Sequence, residues 1–89
     1  MIIAEDKRII IEISKKYHAS RVILFGSSLD STKESRDIDI AVEGVSPKDF
    51  FKFYGDLLLK LSKSVDVIDL SGTSKFIKLI LQEGISLYG

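Results

Sequence analysis

Cysteine is absent, which excludes disulfides and thiolate metal sites and suits a reducing cytosol, the location expected for this chain. Long apolar runs are missing too. The longest are three or four residues, far short of the roughly 20 needed to span a bilayer, so no membrane association is expected. Proline occurs once and glycine six times, too few for a flexible linker or a low-complexity tail. There is no excess of either charge: thirteen basic residues balance thirteen acidic ones, and no basic run stands out. Direct nucleic-acid binding is therefore not expected. The N-terminus reaches Glu5 and Asp6 at once, which is not the pattern of a secretion signal. No internal repeat is present.

What remains is an ordinary soluble composition, 45% hydrophobic and 29% charged, in 89 residues that make one domain (1–89) with a modest core. The informative stretch is 21–43. An apolar run, Val22 to Phe25, stops at Gly26-Ser27, and after a polar segment the chain resumes as Asp37-Ile38-Asp39-Ile40-Ala41-Val42. The period of two puts Asp37 and Asp39 on one strand face and the branched apolar residues on the other. Two carboxylates so placed repel each other unless a cation joins them, and a divalent cation that also holds phosphates would fit. An edge strand with one wet face shows the same alternation. Gly26-Ser27 adds weight to the first reading, because glycine permits a tight exit and close approach of backbone N–H groups to phosphate oxygens.

In chain order, residues 5–18 predict a helix with Ile9, Ile10, Ile13 and Tyr17 inward and the only histidine, His18, at its C-terminal end. A strand follows over 21–25, then a short helical turn. The rest of the polar segment reads as surface loop, in which Lys33 and Arg36 are solvated charges or phosphate contacts. A second strand covers 37–43. Ser46-Pro47-Lys48-Asp49 is a helix start with Ser46 as N-cap, and this helix runs to Lys60 or Ser62. Its predicted apolar face is Phe50, Tyr54, Leu57, Leu58 and Leu61. Phe51, Phe53 and Leu59 widen that face beyond what one sheet needs. A third strand, 65–70, sets Asp66 with Ile68 and Leu70, and Asp69 on the other face with Val65 and Val67. The last helix buries Phe76, Ile77, Ile80 and Leu81 and stops at Gly84. Ile85 to Gly89 adds a short edge strand. The alternation predicts a small mixed α/β (α+β) sheet with helices mainly on one face and polar groups on the other.

Gly26-Ser27, then Asp37-x-Asp39, then Asp66 on the next strand resembles the minimal nucleotidyltransferases, the MNT-type antitoxins, of the DNA polymerase beta superfamily. The resemblance covers essentially the whole chain. It implies a polymerase-beta-like palm, ATP as substrate and two Mg2+ ions. Asp37, Asp39 and Asp66 would be the metal-binding and catalytic carboxylates, and Gly26 and Ser27 would hold the triphosphate. Asp69 is the alternative third carboxylate. It implies AMP transfer to a hydroxyl of a helical HEPN-domain RNase, to which the protein would be the antitoxin. Many members carry arginine and a second glycine soon after Gly-Ser; here those places hold Ser28, Leu29, Asp30 and Ser31. So thin a basic complement also suits a non-catalytic subunit that masks the same partner. A transferase for small molecules of the antibiotic type is a third reading, although no acceptor pocket can be assigned. A chain this short must borrow its acceptor surface from a second copy, as a homodimer, or from another protein.

Overall fold

The computed structural model describes residues 2–29 and 37–89. Helix α1, Ala4–Lys16, places Glu5 and Asp6 in its first turn and Lys15 and Lys16 in its last, charges of the sign the helix dipole favours at each end. It stops two residues earlier than the sequence pattern implies. His18 takes the left-handed conformation at φ 59°, Ala19 N–H returns to the Ser14 carbonyl at 2.9 Å, and His18 N–H bonds to Lys15 O at 3.2 Å. This is a Schellman closure with histidine where glycine is usual. His18 is exposed and serves the chain reversal.

Strand β1, Arg21–Leu24, leads into a 3-10 turn, Gly26–Leu29. Strand β2 is Asp37–Glu43, helix α2 Pro47–Lys60, strand β3 Ser64–Asp69, helix α3 Lys75–Glu83 and strand β4 Ile85–Tyr88. The loop reading of the polar segment, and with it Lys33 and Arg36, falls on residues 30–36, outside those described. The sheet order is β3-β2-β1-β4. β1 runs antiparallel to β2 and β4, and β2 parallel to β3, the crossover being α2. The mixed sheet is therefore as expected, and the tail does form an edge strand.

Ser46 accepts the Asp49 N–H at 3.3 Å and Pro47 occupies the first turn, so α2 begins where its signals lie. Helices α1 and α2 cover one face, where Ile10, Ile13, Phe53, Leu57 and Leu61 pack on Val22, Leu24, Ile38, Ile40, Val42 and Val65. The other face is half covered by α3, whose Ile80 meets Ile23, Phe25, Ala41 and Leu70. Two expected stripes are corrected. In α2, Phe53 is fully buried beside the expected Leu57, while Leu58 is 49% exposed. The cause is α1: Tyr17 meets Phe53 edge-on at 6.0 Å and turns that side of α2 inward. In α3, Phe76 and Leu81 stay about half exposed, because the helix packs on the sheet chiefly through Ile80 and Ile77. Gly84 ends α3 as expected but at φ −70°, without a left-handed turn. Glycine is needed there because a Cβ would overlap the Ile23 side chain and the Ile80 carbonyl. No helix among the described residues is long and apolar enough to cross a membrane.

Candidate active site

The first residues of β2 lie where α3 leaves the second sheet face open. Ile38 is buried under α1 and α2, so its neighbours Asp37 and Asp39 belong to the opposite face. Parallel pairing sets Asp66 of β3 beside Asp39, and Ser64 beside Asp37. Adjacent strands lie about 4.8 Å apart, so the two acidic positions are direct neighbours across the ladder. Val65 and Val67 pack in the cluster under α1 and α2, whereas Ile68 and Leu70 pack in the cluster under α3. That alternation gives Asp66 the same face as Asp39. Asp37 and Asp66 are exposed and Asp39 is half-buried.

The turn after β1 is fastened to this face. Phe25 N–H donates to the Asp39 carbonyl at 3.0 Å. Gly26 follows at φ +67°, and a Cβ built on it would stand 2.8 Å from Asp39 Oδ2. Glycine is thus required twice, for its backbone conformation and for the space that the carboxylate fills. Ser27 is the second residue of the 3-10 turn.

Asp69 is placed otherwise. Its side chain accepts the Ser71 N–H at 2.8 Å, an Asx turn that closes β3, and the strand alternation gives it the face of Val65 and Val67. Among the described residues no three His, Asp or Glu side chains stand together as a closed metal site. Asp37, Asp39 and Asp66 share a face and a register without converging into a complete ligand set. Their chemistry fits a hard divalent cation: oxygen donors only, at an accessible end of the sheet.

One feature lay beyond sequence reasoning. A cleft of about 150 Å³ adjoins Gly26, walled by Phe25, Leu29, Phe76, Leu79 and Ile80, with Glu83 beside it. Phe25 and Phe76 meet edge-to-face at 5.9 Å. These residues come together only because α3 crosses Phe25 before β4 pairs with β1, a tertiary outcome that no local pattern announces.

Residues 7–89 match the family described as polymerase beta, nucleotidyltransferase. No curated protein matches the chain. Among solved structures, a toxin–antitoxin complex with AMP-PNP is 26% identical at a TM-score of 0.75, over 98% of this chain and 74% of that one. A tri-AMPylated HEPN toxin of Shewanella oneidensis in complex with MNT antitoxin gives 24% identity and a TM-score of 0.71, over 94% and 70% of the two chains. The toxin–antitoxin pair MntA–HepT gives 23% and 0.69, again over 94% and 70%. The last two likenesses are of fold alone.

Proposed function

Because the chain belongs to the polymerase beta nucleotidyltransferase family, we propose that it is an MNT-type antitoxin that transfers AMP from ATP to a hydroxyl of a helical HEPN-type toxin. The observation that carries this reading is the pairing of Asp39 with Asp66 on one sheet face, with Gly26 packed on the Asp39 carboxylate. The neighbour that is a toxin–antitoxin complex with AMP-PNP supports the nucleotide and a toxin as the partner.

In this reading Asp37, Asp39 and Asp66 would hold Mg2+ through their carboxylate oxygens. The cation, when bound, supplies neutralisation of the charge that develops on the transferring phosphoryl group. The chain's own groups do the rest. Gly26, with no side chain, lets the triphosphate approach the turn, and Ser27 holds its far end. Asp66 receives the proton of the acceptor hydroxyl. The hydroxyl oxygen bonds to the α-phosphorus, the bond from that phosphorus to the bridging oxygen breaks, and pyrophosphate leaves.

Incubation of the chain with Mg2+, ATP labelled at the α-phosphate and a purified HEPN-type partner should label the partner, whereas label at the γ-phosphate should leave with pyrophosphate. Asp39→Ala should abolish the transfer. A folded pair that exchanges no label would overturn the catalytic reading. Toxin neutralisation that survives Asp39→Ala would identify masking as the means.

A further inference from the structure

Phe25 lies one residue past the last pairing of β1 with either neighbour, Leu24 with Ile40 and Leu24 with Ile85. It nevertheless fixes the turn that follows. Its N–H is bonded to the carbonyl of Asp39 at 3.0 Å, and the next residue, Gly26, stands against the carboxylate of the same aspartate. Its side chain packs with Ile80 in the cluster under α3 and meets Phe76 edge-to-face. Phe76 is held in turn by its place in the first turn of α3, where the Ser74 hydroxyl accepts the Ile77 N–H at 3.1 Å. Half of the Phe76 surface faces solvent, so it adds less to the core than Ile80 does. Its one ring partner among the described residues is Phe25.

We propose that Phe76 is a positioning residue for nucleotide binding: through Phe25 it holds the Gly26–Ser27 turn in place beside Asp39. The inference rests on the reading of that turn as the phosphate site. An edge-to-face pair is worth about threefold to tenfold in an equilibrium constant. A turn tied to β2 through the single Phe25–Asp39 backbone bond is open to a bias of that size. A ligand that binds only the held form loses affinity with the fraction of chains that hold it. Since α3 supplies none of Asp37, Asp39 and Asp66, its influence falls on the phosphate turn and not on the carboxylates.

Amide hydrogen exchange of the full chain without nucleotide, followed by NMR, reads the tie directly. Any acceleration that Phe76→Ala causes at Val22 and Ile23, in the body of β1, measures a general loss of stability. Exchange of the Phe25 N–H should exceed that common change by about threefold to tenfold. In the same variant the dissociation constant for Mg–ATP, measured by calorimetry on the folded chain, should rise about twofold or more. Phe76→Tyr keeps the ring and has solvent for its hydroxyl, so it should restore both values. Leu81→Ala, on the same helix and 42% exposed, should change neither. Phe25 exchange that only keeps pace with Val22 and Ile23 overturns the tie, and so does an equal effect from Leu81→Ala. A parent chain that binds no Mg–ATP overturns the nucleotide reading and this inference with it. A parent that binds, with Phe76→Ala binding equally well, overturns this inference alone.

Discussion

Asp6, 2% exposed in the first turn of α1, accepts both the backbone N–H of Ser62 at 3.1 Å and its hydroxyl at 2.5 Å. The carboxylate thereby ties α1 to the bend between α2 and β3, just before the strand that carries Asp66. Removing it with Asp6→Ala takes away two hydrogen bonds to a buried carboxylate and leaves the Ser62 N–H and hydroxyl without their acceptor, a loss of about 1–3 kcal/mol. Urea titration should show that loss. Asp6→Asn, which can still accept one bond, should recover part of it. Ser62→Ala should cost less than Asp6→Ala, because its N–H keeps the acceptor.

A second tie between the helices titrates. Asp56 of α2 accepts from Lys16 Nζ at 2.9 Å and from the Tyr17 hydroxyl at 2.7 Å. The hydrogen bond from Lys16, then that from Tyr17, lowers the Asp56 carboxyl below its ordinary value. Hydrogen bonding to Asp56 raises both Lys16 and Tyr17. The depressed carboxylate contributes stability that is present above its unfolded value, about 3.9, and lost as pH falls through its folded value. The raised lysine and tyrosine contribute stability that is present below about 10 and lost as pH climbs through their folded values. The contacts are solvent-facing, so screening keeps the effect small. Thermal melts at low ionic strength should fall at both extremes. In Asp56→Ala both limbs should flatten.

The β2 strand was legible to the residue because period-two alternation from Asp37 to Val42 coincides with burial on one side only. The α2 start was equally plain, since Ser46 and Pro47 act within one turn. The α2 face was not. Apolar residues at 50, 51, 53, 54, 57, 58, 59 and 61 leave several faces eligible, and only Tyr17 decides for Phe53. Asp6 was invisible for a related reason: its partner lies 56 positions away. The acidic set could be read from alternation and resemblance, while the neighbourly contact of Gly26 with Asp39 required the fold.

That contact predicts a coupling. Gly26→Ala forces a Cβ onto Asp39 Oδ2 in a left-handed backbone, a conformation that costs an L-residue roughly 1–2 kcal/mol before any clash. Asp39→Ala removes the clashing atoms and leaves the backbone cost. The double variant should therefore be less destabilised than the sum of the singles, by about 0.5 kcal/mol or more. Urea titration of the four proteins gives the cycle. Additive effects would mean that the turn moves away from Asp39 once alanine is present.

Asp66 and Asp69 sit three residues apart on β3 and should respond in opposite ways. Asp69 closes a turn through the Ser71 N–H, so Asp69→Ala should lower stability by about 1 kcal/mol and leave the proposed AMP transfer in place. Asp66 is exposed beside Asp39, and two like charges on neighbouring strands repel. Neutralising one with Asp66→Asn keeps the shape and removes the repulsion. In EDTA this variant should melt at or above the parent, with a gain of about 1 kcal/mol at most, as stability rises when a charged functional site is relaxed. Added Mg2+ and ATP should raise the parent's midpoint in proportion to occupancy, because a ligand that binds only the folded chain stabilises it by mass action. The Asn variant should lose most of that increment and its transfer activity, since a neutral amide is the weaker donor to a hard cation. Melts of both variants with and without Mg2+–ATP separate the roles. If Asp66→Asn melts lower in EDTA and gains as much from Mg2+–ATP as the parent does, Asp66 is a structural residue. If Asp69→Ala loses transfer at an unchanged midpoint, the third carboxylate is Asp69, and the face assigned to it by strand alternation does not hold in the working complex.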